Sequence, residues 1–95
     1  MAYFISEQAA ADIYWIYEQS KRQFGERAAD AYQVLLGEAV IFAASHPQAS
    51  PVRETAMGPV RVRYFGSHLL AYDIVNEDII VQRVFHQGQD WEVGG

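Results

Sequence analysis

The chain has 95 residues, 51% of them hydrophobic and 14% aromatic, with three prolines and a net charge of −5. That composition excludes the disordered and low-complexity classes, and the length supports one domain, residues 1–95, with one modest core. One lysine and six arginines stand against twelve acids, which disfavours extensive phosphate contact and therefore direct, sequence-specific nucleic-acid binding.

Ala2 to Ile5 (AYFI) is short, apolar and aromatic, and reads as a strand. Ser6 follows as a helix cap, with Glu7 and Gln8 suited to the positive end of a helix dipole. Ala9, Ile13, Ile16, Ser20 and Phe24 then recur at spacings of three and four, an apolar stripe that ends at Gly25. Ala28, Tyr32, Leu35, Leu36, Ala39, Phe42 and Ala43 form a second stripe, which Pro47 stops at His46. The join at Gly25 is too short for anything but a helical hairpin. Residues 48–57 (QASPVRETAM) have no period and carry a proline, so the spacing predicts a loop.

Beyond this the period changes to two. VRVRYF sets Val60, Val62 and Tyr64 on one side and Arg61, Arg63 and Phe65 on the other, and Gly66-Ser67 provides a tight turn. LLAYDIV and IIVQRVF are further strands, separated by Asn76-Glu77-Asp78. The predicted fold class is α+β: a short N-terminal strand, an antiparallel helical hairpin and a C-terminal three-strand antiparallel meander that covers the hairpin's stripe.

The longest apolar run, Ala39 to Ala44, is far below the roughly 20 residues of a membrane span. The N-terminus lacks the basic and small-residue signature of a signal peptide, so a cytoplasmic location is expected. There is no cysteine, and His46, His68 and His86 are not at metal-ligand spacing; neither a metal nor a cofactor is expected.

The segment AAADIYWIYEQSKRQFGERAADAY, the proline after the second helix, an arginine on the first meander strand and the closing RVFHQGQDW occur here in one order. In that order they resemble the ParE toxins of the RelE/ParE superfamily, over nearly the whole chain. The most telling parts are Asp12 with the aromatic and isoleucine positions after it, the Phe24-Gly25 break before Ala28 and Tyr32, and Arg83-Val84 leading into His86 and Gln89-Asp90. The resemblance implies the toxin of a bacterial type II toxin-antitoxin system, which binds and poisons DNA gyrase and is neutralised in a hetero-oligomer by a small ParD-like antitoxin. ParE-like proteins are not established enzymes. Relatives in the RelE branch are ribosome-dependent messenger endoribonucleases, usually basic and lysine-rich, and the acidity of this chain fits the ParE branch better. The extension after Trp91 is very short, only Glu92 to Gly95, where family members vary most.

The site residues admit several readings. Arg63, Arg83 and His86, with Arg61 nearby, form a partial ribonuclease set in which the arginines hold a phosphate and His86 moves a proton; Glu54 is the nearest loop acid. The same residues can be structural, with Arg83 paired to Asp73 or Asp90 and His86 hydrogen-bonded at a strand end. In a third reading Arg61, Arg63 and Arg83 await an acidic partner segment, beside an exposed Trp15 that anchors it. Val34, Val40 and Ile41, off the main stripe, add apolar helix surface of the kind partners cover. Gly88 breaks the last strand, Trp91 packs as a lid, and Gln89 and Asp90 tie the tail down. His46 and His68 are expected to be solvated.

Overall fold

The computed structural model of the chain describes residues 2–89 and Trp91. Asp90, expected above as a partner of Arg83 and a tie for the tail, and residues 92–95 lie outside the described residues. The element order is β1 (Tyr3–Ile5), α1 (Glu7–Phe24), α2 (Glu26–Ser45), β2 (Val52–Thr55), β3 (Gly58–Phe65), β4 (His68–Val75) and β5 (Asp78–His86).

Local chemistry accounts for most boundaries. The Ser6 hydroxyl accepts from the Ala9 amide at 3.0 Å and donates to the Gln82 carbonyl at 2.8 Å, so one side chain starts α1 and ties it to β5. Gly25, at φ 94°, closes α1 and opens α2 within a single residue, a conformation that a Cβ would strain. At the far end the His46 amide donates to the Phe42 carbonyl and Pro47 forbids another turn.

The meander is the centre of a larger sheet with strand order β1-β5-β4-β3-β2, mixed rather than purely antiparallel. The loop expected over 48–57 contains β2, paired antiparallel with β3 from Val52↔Arg61 to Thr55↔Gly58. Four residues are too few to display a period. The hairpin is closed instead by the Thr55 hydroxyl, which donates to the Gly58 carbonyl at 2.8 Å and accepts from the Met57 amide at 3.1 Å. On the other side β1 runs parallel to β5, Tyr3↔Ile79 to Ile5↔Val81, the long connection that a parallel pair requires running through the helical hairpin and then β2, β3 and β4. The turn expected at Asn76-Glu77-Asp78 uses only the first two residues, Asn76 at φ 59°, and Asp78 begins β5.

Ala9, Ile16, Leu36, Ala39, Val40, Ala43 and Ala44 pack on Phe65, Leu70, Tyr72, Ile79, Val81 and Val84. Alanines at the contact let α2 approach the sheet closely. The stripe differs from the expected one at its corner end: Phe24 is 73% exposed and Ala28 is exposed, because no strand covers the hairpin around Gly25. Leu35 is also partly outside, at 39% exposed, whereas Val40, expected off the stripe, is buried. The opposite face of the sheet holds Val60, Val62, Leu69 and Ala71 beneath Trp91, with Phe85 alongside, so the indole is the lid that the sequence predicted. Among the described residues no helix is long and apolar enough to cross a membrane.

β5 carries an irregularity that the alternating pattern hides. Ala71 faces Arg83 and Tyr72 faces Val81, leaving Gln82 as an extra residue. Val81 and Val84 therefore both point at the helices, and Arg83 is re-aimed toward the open edge of β5 beyond the end of β1.

Candidate functional site

A groove of about 700 Å³ lies between the second half of α1, the start of α2, the β3–β4 turn and the end of β5. Asp12, Ile16, Gln19 and Gln23 line it from one face of α1, at the three- and four-residue spacing of a helix, with Trp15 and Phe24 at the same groove. Tyr32, Ser67, His68, Val84, His86 and Gln89 line it from α2, the β3–β4 turn, β5 and the tail.

Asp12 is the centre of the first cluster. Its Oδ2 accepts from Arg83 Nε at 2.8 Å and from the Val84 amide at 2.9 Å, while Oδ1 accepts from the second guanidinium nitrogen at 3.1 Å. β1 pairs with β5 only as far as Val81, so a carboxylate from α1 satisfies the strand edge where the neighbouring strand has run out. These bonds raise the Arg83 pKa above the usual arginine value, burial opposing them in part. The partner expected for Arg83 on the sheet, Asp73, instead accepts from the Gln82 side-chain Nε2 at 3.2 Å. Gln82 is the residue that the bulge leaves extra, and Arg83, opposite Ala71, meets Asp12 at the strand edge.

The second cluster corrects the expectation for His68, which is half-buried rather than solvated. The Ser67 amide donates to the Tyr32 hydroxyl at 3.0 Å, and that hydroxyl lies 2.6 Å from His68 Nδ1. Phe65 stacks on the same imidazole at 6.0 Å, and the His86 ring meets it edge to face at 5.1 Å. Burial, and secondarily the charge of His86, lowers the His68 pKa below the usual histidine value. His46 is exposed as expected, its ring 4.9 Å from Phe42.

The remaining candidates do not gather with these. Arg61 and Arg63 share the helix-side face of β3, as strand alternation implies, but serve different neighbours. Arg61 donates to the Ser50 carbonyl at 2.7 Å and holds the chain after α2. The Arg63 guanidinium carbon sits 3.8 Å above the Phe42 ring, and its buried Nε has no hydrogen-bond partner. Arg63 opposes Leu70, which opposes Val84, so two strand spacings, about 10 Å, separate β3 from β5. Glu54 on β2 is one strand farther from His86, about 14 Å across the sheet. His86 is occupied at the strand end: its amide donates to Gln89 Oε1 at 2.7 Å, and its Nδ1 accepts from the Gly88 amide at 2.9 Å. Trp15 is 57% exposed, with Tyr14 also outside, whereas the Tyr17 hydroxyl donates to Asp30 at 2.8 Å and links the helices.

The arrangement suits binding through aromatic and amide groups, its one lining carboxylate being neutralised by Arg83. Sequence reading missed Asp12 as a partner and Tyr32–His68 as a pair. Asp12 carried a signal, as an acid one helical turn from Ile16 on the stripe side of α1; the Tyr32–His68 pair carried none. Gly66 tests the second cluster: at φ 49°, an added Cβ would lie 2.6 Å from the Tyr32 hydroxyl. Gly66→Ala is expected to lower the unfolding free energy by about 1–3 kcal/mol in chemical denaturation, and unchanged stability would mean that the turn and ring do not touch.

The family model described as ParE toxin of type II toxin-antitoxin system, parDE, matches residues 3–91. The chain is similar in fold to a chain in the solved structure of the chromosomal ParDE TA system from P. aeruginosa, with a TM-score of 0.77 and 18% identity over 90% of this chain and 95% of that one. No curated protein matches the sequence.

Proposed function

The chain belongs to the ParE toxin family of type II toxin-antitoxin systems, and from that premise we propose that it arrests growth by binding DNA gyrase and is held inactive by a ParD-like antitoxin. The observation that carries this reading is the extent of the family match, residues 3–91, which takes in every element of the fold. Both partners are cytoplasmic in this reading, and so is the toxin.

The surface supports a protein-binding mode. Trp15, Val34 and Ile41 are 57%, 63% and 58% exposed on the helices, more apolar area than a solvated hairpin needs. An antitoxin segment that is disordered alone and folds along the hairpin and onto the sheet would cover these side chains, and its proteolysis would free the toxin. Of the three arginines expected to meet it, Arg83 is held by Asp12 and Arg61 by backbone carbonyls, while Arg63, stacked on Phe42, makes no side-chain hydrogen bond among the described residues. Trp15 and Arg63 are the proposed anchors.

Induction of the chain alone in bacteria, with pulse-labelling of DNA and protein synthesis over the first minutes, tests the target. DNA synthesis is expected to fall first. Protein synthesis falling first would favour ribonuclease action, and a purified chain that neither binds gyrase nor alters its supercoiling would end the gyrase reading. For the antitoxin, Trp15→Ala and Arg63→Ala are each expected to weaken binding by roughly tenfold or more with an unchanged circular dichroism spectrum. Undiminished affinity in both would move the interface elsewhere.

A further inference from the structure

The two histidines of the groove are connected to opposite sides of one junction. On the β4 side, the Ser67 amide donates to the Tyr32 hydroxyl, whose own proton has two acceptors in reach: His68 Nδ1 at 2.6 Å and the Ser67 hydroxyl at 3.4 Å. Placing that proton on the shorter contact makes His68 Nδ1 an acceptor. On the β5 side the Gly88 amide can only donate, so His86 Nδ1 is an acceptor as well. An imidazolium donates from both nitrogens and accepts at neither. Both rings are therefore neutral in this arrangement, and their edge-to-face contact at 5.1 Å would become a contact of like charges if both were protonated.

The turns they hold are tied to one another. The Gln87 amide donates to the Ser67 carbonyl at 2.9 Å, and the Gln87 side chain donates to the Gly66 carbonyl at 3.0 Å. Gln89 bonds back to His86 through both its amide and its side-chain oxygen, and the Trp91 amide donates to the Gln89 carbonyl at 3.1 Å. The path from His86 to the lid over Val60, Val62, Leu69 and Ala71 is thus one short hydrogen-bonded turn.

We propose that Tyr32, His68 and His86 form an acid-sensitive latch: neutral, it fastens the β3–β4 turn to α2 and the Trp91 turn to β5, and protonation releases both. Protonation at His86 Nδ1 sets two N–H groups facing one another at the Gly88 contact, and protonation at His68 Nδ1 does the same to the Tyr32 bond unless the hydroxyl turns away. The other titratable groups facing the pair do not offset this. Asp12, from α1, lines the groove with its carboxylate already bound by Arg83 and Val84, and Tyr32 is the one such group from α2. Among the described residues no further acid or base lines the groove. The lowered His68 pKa agrees in sign: the folded state binds fewer protons than the unfolded one, so the stability contributed is full above about pH 6.5 and falls as pH drops below it.

The test uses the whole chain without a partner, so its outcome is independent of the gyrase and antitoxin readings. Trp15→Phe leaves Trp91 as the sole indole. Between about pH 8 and pH 5, spanning the histidine range, its emission is expected to shift to the red and become more quenchable by acrylamide, while far-ultraviolet circular dichroism keeps its shape. Adding His68→Asn and His86→Asn places an amide oxygen close to each Nδ1 position, an acceptor that does not titrate, and should abolish the transition. The same acid transition in that triple variant, or none in Trp15→Phe, would overturn the latch. Should the triple variant fail to fold, the histidine nitrogen chemical shifts of the unsubstituted chain decide. The Nε2–H tautomer for both rings near pH 8 supports the proposal, and a proton on either Nδ1 there overturns it.

Discussion

Asp12→Ala is expected to lower the unfolding free energy by about 2–3 kcal/mol, and the melting temperature by on the order of 10–20 °C for a chain of this size. The loss comes from what is left behind. Without the carboxylate, the Val84 amide has no acceptor at the edge of β5, and Arg83 keeps a partly buried guanidinium with no counter-charge. The side chains are 31% and 18% exposed for Arg83 and Asp12, which keeps the expected loss below that of a fully buried pair. Arg83→Ala should cost less, about 1–2 kcal/mol, because Asp12 retains its bond to Val84. The double variant should therefore be no worse than Asp12→Ala alone, a coupling measured by chemical denaturation. Strict additivity of the two single losses would show that the pair does not form. A stability defect that follows this cycle assigns Arg83 to the scaffold and removes it from any set of catalytic suspects.

Tyr72→Ala should cost still more, about 3–5 kcal/mol, the range for an aromatic residue removed from a packed interior. Tyr72 has no exposed surface, lies among the side chains of both helices and the sheet, and donates its hydroxyl proton to the Pro47 carbonyl at 2.7 Å. That bond fastens the segment after α2 to the middle of the sheet, close to where Arg61 holds Ser50. Tyr72→Phe keeps the volume and leaves only the carbonyl unsatisfied, so its loss should be about 1 kcal/mol. Equal losses for the two variants would show that the hydroxyl, rather than the ring, carries the contribution. With total stabilities of small domains at about 5–15 kcal/mol, Tyr72→Ala brings a weak member of that range close to unfolding at body temperature.

These two side chains illustrate what the amino-acid order displays and what it conceals. The Ser6 cap, the Gly25 break, the stop at Pro47, the Gly66-Ser67 turn and the alternation of Val60 and Val62 against Arg61 and Arg63 were all legible. Each is set by a dihedral preference or a hydrogen bond between near neighbours in the chain. The family resemblance was legible on the same footing, because its motifs lie along contiguous segments and run through residues 3–91. Exposure of Trp15 followed from α1 geometry, since Ile13 and Ile16 take the inner side.

Concealed were the pairing of β1 with β5, the strand inside residues 48–57, the Asp12 and Arg83 clasp and the Tyr32 and His68 contact. Asp12 and Arg83 are 71 positions apart, and Tyr32 and His68 are 36 apart. Whether such residues meet depends on sheet register, on one extra residue at Gln82 and on where β1 ends along β5. The bulge sets Arg83 opposite Ala71 and leaves Gln82 extra, and Arg83, for which Asp73 or Asp90 was expected, is held at the strand edge by Asp12 of α1. The same limit applied at the hairpin corner, where Phe24 keeps the helical period and yet is exposed because the sheet does not extend beneath it. By itself, then, the sequence determined the first strand, the helical hairpin, the three meander strands, their order and the family, all of which local sterics and hydrogen bonding encode. The tertiary structure alone decided which charges are neutralised, which imidazole is shielded and which apolar surface is left uncovered, because those depend on distances that only packing sets.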